Sequence, residues 1–94
     1  MSFYVSILQS KKLNRFYIGT TDDVEKRLHD HNQARYSSSF TVKGIPWDLK
    51  LSISLNDSSK AYKFEAFIKR MKSKVFIEKL ISSPEMVEDI VSKL

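Results

Sequence analysis

Residues 3–19 read FYVSILQSKKLNRFYIG, and this stretch decides the fold. Its two ends, residues 3–8 and 16–19, are rich in β-branched and aromatic residues, which favour strands. The polar run between them contains Asn14, a residue type that is common in tight turns. Two short strands this close together in sequence predict an antiparallel hairpin.

A helix is expected directly after the hairpin. Thr21 or Asp22 can cap it, and the acidic residues of its first turn interact favourably with the helix dipole. Val24 and Leu28 lie one helical turn apart and are predicted to face the core. The helix should end near Asn32.

The second half of the chain predicts one more strand and three more helices. Residues 48–55 alternate between polar and apolar types, which is typical of a half-buried strand whose apolar side chains share one face. The predicted apolar face consists of Leu49, Leu51, Ile53 and Leu55. A turn and cap at 56–58 precede the clearest helical stripe of the chain, formed by Ala61, Phe64, Ile68 and Met71.

The last two helices are separated by recognisable signals. The pair at 72–73 predicts a break, and an apolar stripe follows at Val75, Phe76, Leu80 and Ile81. Ser83 and Pro84 then mark another helix start. The chain has 94 residues, no internal repeat and no linker, so we expect one domain over 1–94. The predicted fold class is α+β: a small three-stranded, mostly antiparallel sheet flanked by helices, in the order β-β-α-β-α-α-α.

Composition excludes several classes of protein. The absence of cysteine excludes disulfide scaffolds, thiolate zinc sites and cysteine nucleophiles. The longest apolar runs are far shorter than the roughly 20 residues that a membrane helix needs. The first residues lack the basic and apolar regions of a signal peptide. We therefore expect a cytoplasmic protein without a membrane partner.

Positive charge is concentrated in one segment. The whole chain carries a net charge of +5, and residues 58–74 alone hold six basic residues against one acid, Glu65. Clustered lysine and arginine attract polyanions such as nucleic acid. A solvated basic helix face is the alternative interpretation.

Two short motifs carry a resemblance to a known family. Tyr17-Ile18-Gly19 follows Tyr4-Val5-Ser6 with ten residues between the two triplets, and Arg27, His31 and Glu65 come later in that order. This arrangement resembles the GIY-YIG endonuclease domain, in particular the small stand-alone bacterial members related to the N-terminal domain of excinuclease C. The resemblance covers about residues 3–81, including the segment at 40–49 with its Gly-x-Pro-Trp motif.

The resemblance implies metal-dependent hydrolysis of phosphodiester bonds, with nucleic acid, expected to be DNA, as the partner. Glu65 would bind one divalent cation, Mg²⁺ or Mn²⁺, and Arg27 would contact the scissile phosphate. Tyr17 would lie at the attacking water, and His31 would assist. A cation and a guanidinium suit this chemistry because they neutralise charge that builds up on the phosphoryl oxygens. The residues expected to contact nucleic acid are Gly19, Thr20, Arg35, Tyr36, Lys43, Lys69 and Lys72.

The sequence departs from the family pattern at Ser6, where the first triplet should end in tyrosine. A serine hydroxyl can orient a water molecule but is not a reasonable base alone. Thr20 also stands where some relatives carry lysine, and the asparagine that several relatives carry after the glutamate has no clear counterpart. A second hypothesis is therefore a nucleic-acid-binding module with impaired catalysis. A third is an interaction domain that dimerises through the apolar helix at 84–94, so both a monomer and a weak homodimer stay open.

Overall fold

The computed structural model describes residues 2–33 and 42–94, which form a three-stranded sheet and four helices. The α+β class and the predicted element order are confirmed. The elements are β1 (Phe3–Ser10), β2 (Arg15–Thr21), α1 (Val24–Asn32), β3 (Trp47–Leu55), α2 (Ser58–Met71), α3 (Lys74–Ser82) and α4 (Pro84–Ser92).

Strand β1 is the centre of the sheet and pairs antiparallel with both neighbours, in the order β2-β1-β3. The predicted hairpin is confirmed, with Tyr4 opposite Thr21 and Ser10 opposite Arg15. Asn14 has a φ of 53° in the connecting turn, a left-handed conformation that asparagine tolerates. Strand β2 is consequently an edge strand, which leaves one side of it open to other parts of the molecule.

Helices cover both faces of the sheet. Side chains alternate along a strand, yet Val5, Ser6, Ile7 and Leu8 are all buried. On the Val5 side, α2 completes the core with Ala61, Phe64 and Ile68. On the Ser6 side, α1 lies over β1 and β3. The sheet therefore separates a layer that contains α1 from a layer that contains α2.

The predicted apolar face of β3 is wrong at Leu49, which is 40% exposed. Leu51 pairs with Ile7, but Leu49 pairs with Leu8, so the register shifts by one residue at Lys50. An extra residue of this kind bends the strand and changes which face the following side chains point to. The rest of the alternation holds, because Leu51 and Ile53 are partly buried and Leu55 is buried.

The predicted cap of α1 is also wrong. Asp23 is the N-cap, and its side chain accepts a hydrogen bond from the backbone N–H of Lys26 at 3.0 Å. The Thr21 hydroxyl instead accepts from the Asp23 N–H at 3.1 Å, which closes a turn just before the helix. The predicted end at Asn32 is confirmed.

The later helices begin and end where polar residues can cap them. Asp57, Ser73 and Ser83 are the N-caps of α2, α3 and α4, and Lys72 ends α2 in a left-handed conformation. Two predicted core residues are wrong: Met71 is 45% exposed because α2 ends there, and Val75 is 62% exposed. In α3 the buried residues are Ile77 and Leu80.

The apolar face of the last helix is used inside the fold. Val87 of α4 is buried, and the partly buried residues that pack against the same core include Met86, Ile90, Val91 and Leu94. The dimer face predicted at 84–94 therefore contacts the protein's own core. Within residues 2–33 and 42–94, no helix has the combination of length and apolar character that a membrane span needs.

The segment that enters β3 is anchored through Trp47. The Asn32 side chain accepts a hydrogen bond from the Trp47 N–H at 2.6 Å and donates one to the Trp47 carbonyl at 3.0 Å. Gly44 lies against the indole, and a Cβ added there would be 2.5 Å from Trp47 Cζ2. Trp47 itself is only 1% exposed, so the ring has no room to move away.

We predict that Gly44→Ala lowers the free energy of unfolding by about 1–3 kcal/mol, because the added methyl group overpacks against a buried ring. Gly19→Ala is the matched control, since the nearest atom to a Cβ there is Tyr17 Cε1 at 3.4 Å, an ordinary contact. Urea denaturation of both variants measures the difference. Equal stability of the two variants would contradict this account of Trp47 packing.

Candidate active site

Thr20 connects three elements at the open edge of β2. Its hydroxyl donates a hydrogen bond to Oε1 of Glu65 on α2 at 2.9 Å. Its carbonyl accepts a hydrogen bond from Nη2 of Arg27 on α1 at 3.0 Å. A guanidinium and a carboxylate that are distant in sequence therefore meet at one residue of the sheet edge.

The strand register explains this arrangement. Thr20 lies opposite Val5, so its side chain points into the layer that contains α2. Gly19 lies opposite Ser6 and belongs to the face that α1 covers. Helices α1 and α2 lie on opposite faces of the sheet, and Thr20 forms a hydrogen bond with one side chain from each of them.

The Glu65 carboxylate is held by two donors. Oε1 accepts from Thr20, and Oε2 accepts from Nζ of Lys69, one helical turn later, at 3.2 Å. The Glu65 side chain is 20% exposed, so it still reaches solvent. The sequence placed Glu65 at the border of the buried face of its helix, and this position is confirmed.

An aromatic cluster holds Tyr17 on the α1 face of the sheet. The rings of Tyr17 and His31 meet edge to face with centroids 4.6 Å apart, and Trp47 lies 6.2 Å from each of them. Tyr17 Cε1 also lies beside Gly19, where it would contact an added Cβ. The Tyr17 ring is thus fixed next to the strand segment that carries Thr20.

His31 is buried, and its pKa is lowered. It is only 1% exposed, and its Nδ1 donates a hydrogen bond to the Arg27 carbonyl at 3.0 Å, since a carbonyl can only accept. Burial lowers the pKa of His31, and the positive charge of Arg27 acts in the same direction. The hydrogen bond to the Arg27 carbonyl and the charge of Asp30 oppose that shift but do not cancel it. The imidazole therefore supports the Tyr17 ring and the helix that carries Arg27 through direct contacts.

The hydroxyl of Ser6 faces the backbone. Ser6 is 2% exposed, and its hydroxyl donates a hydrogen bond to the Gly19 carbonyl at 3.4 Å. A buried hydroxyl that is bound to a carbonyl does not present its oxygen to a substrate. The position of the first-triplet tyrosine is therefore occupied by a side chain that supports the hairpin.

The residues predicted to contact nucleic acid lie in different environments. Lys43, Lys69 and Lys72 are exposed. Gly19 and Thr20 are buried, so they shape the edge of β2 and hold Glu65. The remaining two, Arg35 and Tyr36, lie outside the described residues.

Sequence reasoning missed Asn32 as a positioning residue. Its side chain links the end of α1 to Trp47 through two hydrogen bonds, and Trp47 packs against His31 and Tyr17. An asparagine at a helix end is usually interpreted as a cap. The sequence gives no spacing rule that pairs Asn32 with Trp47, so this contact could not be predicted from the residues alone.

The edge presents one carboxylate that is suitable for a divalent cation. Within residues 2–33 and 42–94, no group of three or more His, Cys, Asp or Glu side chains is arranged to hold a metal ion. Mg²⁺ commonly uses one or two carboxylates and keeps several waters, so Glu65 fits as a single protein ligand. Such an ion would compete with Lys69 for Oε2.

A second group of acids lies in a cleft beside α1 that Arg27 also lines. Asp22, Asp23 and Asp30 line it together with Lys26. Asp23 caps the helix, and Oδ2 of Asp30 pairs with Nζ of Lys26 at 2.9 Å. These two carboxylates are therefore already used to stabilise α1.

Most of the chain is similar to proteins of one family. The family model described as the GIY-YIG catalytic domain matches residues 2–79. A UPF0213 protein of Syntrophus aciditrophicus is 32% identical over 82 residues, which covers 87% of this chain and 93% of that protein. A UPF0213 protein of Vibrio campbellii is 36% identical over 58 residues, which covers 62% of this chain and 55% of that protein.

A solved structure supports the same relationship. The solution NMR structure of a UPF0213 protein from Bacillus halodurans matches with a TM-score of 0.56 and 28% sequence identity. The match covers 87% of this chain and 84% of the other. The similarity therefore extends over most of both proteins.

We predict that His31 makes stability depend on pH. Because its pKa is lowered in the folded state, the unfolded chain takes up a proton more readily, and stability is lost as the pH falls below about 6.5. Denaturation at about pH 8 and about pH 5.5 should show this loss in the wild type and a smaller loss in His31→Gln. His29 is present in both proteins, so its contribution cancels. Equal pH dependence in the two proteins would contradict the prediction.

Proposed function

This chain belongs to the GIY-YIG family of nuclease catalytic domains, which supports an endonuclease-like function on nucleic acid, and we propose that it cleaves DNA with one divalent cation, Mg²⁺ or Mn²⁺. The proposal rests mainly on one observation. Arg27 and Glu65 meet at Thr20, one through its carbonyl and the other through its hydroxyl.

The chemistry requires charge neutralisation around a phosphate. Hydrolysis adds a water oxygen to phosphorus and breaks the bond to the leaving ester oxygen, and negative charge builds up on the other phosphoryl oxygens. A guanidinium can bind two of these oxygens in a fixed geometry. Arg27 would therefore hold the scissile phosphate at the edge of β2.

Glu65 would hold the metal ion at the same edge. A bound divalent cation polarises the phosphoryl oxygens and promotes ionisation of a bound water. Thr20 and Lys69 fix the Glu65 carboxylate in one orientation before the ion binds. Lys69 would then leave Oε2, and its ammonium group would be available to a neighbouring phosphate.

Tyr17 would orient the attacking water. Its ring is fixed by His31, Trp47 and Gly19, and rigid placement of a polar group is worth more in catalysis than a mobile contact. Because His31 is buried and contacts both the Tyr17 ring and the Arg27 carbonyl, its role in this proposal is to position Tyr17 and α1.

A binding module with impaired catalysis is the second candidate. It is favoured by Ser6, whose hydroxyl is buried against the Gly19 carbonyl where the family pattern has a tyrosine. In that case the basic segment would still bind nucleic acid, with an affinity that falls steeply as salt rises.

We also propose a cellular role for this chain. Resemblance to the branch that contains excinuclease C suggests a role in DNA repair or recombination in the cytoplasm. The apolar face of α4 packs on the protein's own core, which supports a monomer over a homodimer formed through that helix.

We predict that the wild type nicks supercoiled plasmid or branched DNA when Mg²⁺ or Mn²⁺ is present and that EDTA stops the reaction. Glu65→Gln should reduce the rate at least about 100-fold, because it removes the metal-binding charge and keeps the shape of the side chain. Glu78→Gln is the matched control, since Glu78 is exposed on α3. Cleavage that is equally fast in both variants would overturn the role of Glu65.

A separate prediction distinguishes the two candidates. If the wild type cleaves, Tyr17 is sufficient to orient the water and Ser6→Tyr changes the rate little. If the second candidate is correct, the wild type binds DNA without cutting it, and Ser6→Tyr restores metal-dependent cutting. Parallel cleavage and gel-shift assays on the two proteins separate these outcomes, and an absence of binding at low salt would contradict both.

A further inference from the structure

A cleft of about 420 Å³ opens along the edge of β2, where that strand faces the junction of α2 and α3. Four basic residues line it, together with a floor of apolar side chains, and no acidic residue of the described ranges 2–33 and 42–94 lines it. The basic residues are Arg15, Lys69, Lys72 and Lys74, and the floor includes Phe16, Ile68 and Ile77.

The charge of this cleft is largely uncompensated. Lys69 pairs with Glu65, whereas among the described residues no carboxylate pairs with Arg15, Lys72 or Lys74. All four cations are exposed. Several cations around one opening favour a ligand with more than one phosphate.

The apolar side chains of the cleft are suited to a different part of the same ligand, one that is itself apolar. Ile68 and Ile77 are core residues that are only 1% and 7% exposed, so partly exposed Phe16 is the side chain of this floor that a ligand can reach. An unpaired nucleotide base is flat and largely apolar on its faces, and proteins commonly bind such bases on aromatic and aliphatic side chains. A base that is paired and stacked within a duplex cannot reach a floor of this kind.

The cleft is continuous with the candidate active site. Helix α2 runs beside β2 in the opposite direction, so that Glu65 lies at Thr20 while Lys69 and Lys72 lie with Arg15 and Phe16. Lys72 follows Glu65 by seven residues, which corresponds to roughly 10 Å along a helix. A strand whose phosphate lies at Glu65 would therefore enter the cleft within a few nucleotides.

We propose that this cleft binds an unpaired base and its flanking phosphates next to the scissile phosphate, so that the substrate class is DNA with a single-stranded segment beside the cut site. Flaps, gaps and forks belong to this class. The proposal rests on the proposed function for the nature of the substrate, but the binding that it describes does not require cleavage.

The test measures binding without cleavage. A Glu65→Gln protein in EDTA is titrated into a fluorescein-labelled DNA single strand of about 16 nucleotides and into the matching duplex, and anisotropy is recorded. We expect tighter binding to the single strand. An oligonucleotide of the same length built from abasic sites keeps the phosphates but should bind several-fold more weakly.

Variants locate the binding to the cleft. Lys72→Asn combined with Lys74→Gln should weaken single-strand binding roughly tenfold or more, because charge-assisted contacts to phosphate are lost. Asparagine is chosen because Lys72 has a φ of 48°, which asparagine tolerates. Lys60→Gln combined with Lys63→Gln removes the same charge from exposed positions of α2 outside the cleft lining and should have a much smaller effect.

The outcomes separate this inference from the proposed function. The proposed role of the cleft would be overturned if single strand, duplex and abasic strand bound equally well. It would also be overturned if the two double variants had equal effects, even where Glu65-dependent cleavage occurs. If the protein prefers the single strand through the cleft but never cleaves DNA, the proposed role of the cleft is supported. Only the proposed hydrolysis is then contradicted.

Discussion

The two hydrogen bonds of Thr20 are the interaction on which the candidate site depends. The hydroxyl holds Glu65, and the carbonyl holds Arg27. Both bonds form because the Thr20 side chain points into the layer that contains α2, while its backbone carbonyl is reached by the long side chain of Arg27 from α1. The carbonyl that binds Arg27 is backbone and is present with any residue at this position, whereas the bond to Glu65 requires the Thr20 hydroxyl.

A second set of contacts fixes the tyrosine beside that bridge. His31 donates to the Arg27 carbonyl and packs against Tyr17, and Trp47 closes the cluster. Trp47 is in turn held by Asn32 and by close contact with Gly44. These contacts connect the entry of β3 through the aromatic rings to α1, so they position the candidate site as well as stabilise the fold.

The sequence predicted the parts of the fold that depend on local periodicity and turn chemistry. This group includes the hairpin with its turn at Asn14, the cap within 56–58, the cap at Ser83 and the apolar stripe up to Ile68. Leu49 was misplaced because an extra residue in β3 shifts the register, which a simple alternation cannot show. The family resemblance predicted Arg27 and Glu65 as site residues, but it could not show that Thr20 contacts both, because that contact depends on which face of the sheet each helix covers.

Glu65 of α2, which contacts the edge of β2 through Thr20, is proposed to hold the divalent cation, and paramagnetic line broadening tests this role most directly. Mn²⁺ added to isotope-labelled protein should broaden the amide signals of Thr20, Glu65 and their neighbours first, and Glu65→Gln should abolish that selectivity. Broadening that centres on Asp22 and Asp23 at the start of α1, or that is unchanged in Glu65→Gln, would contradict the account.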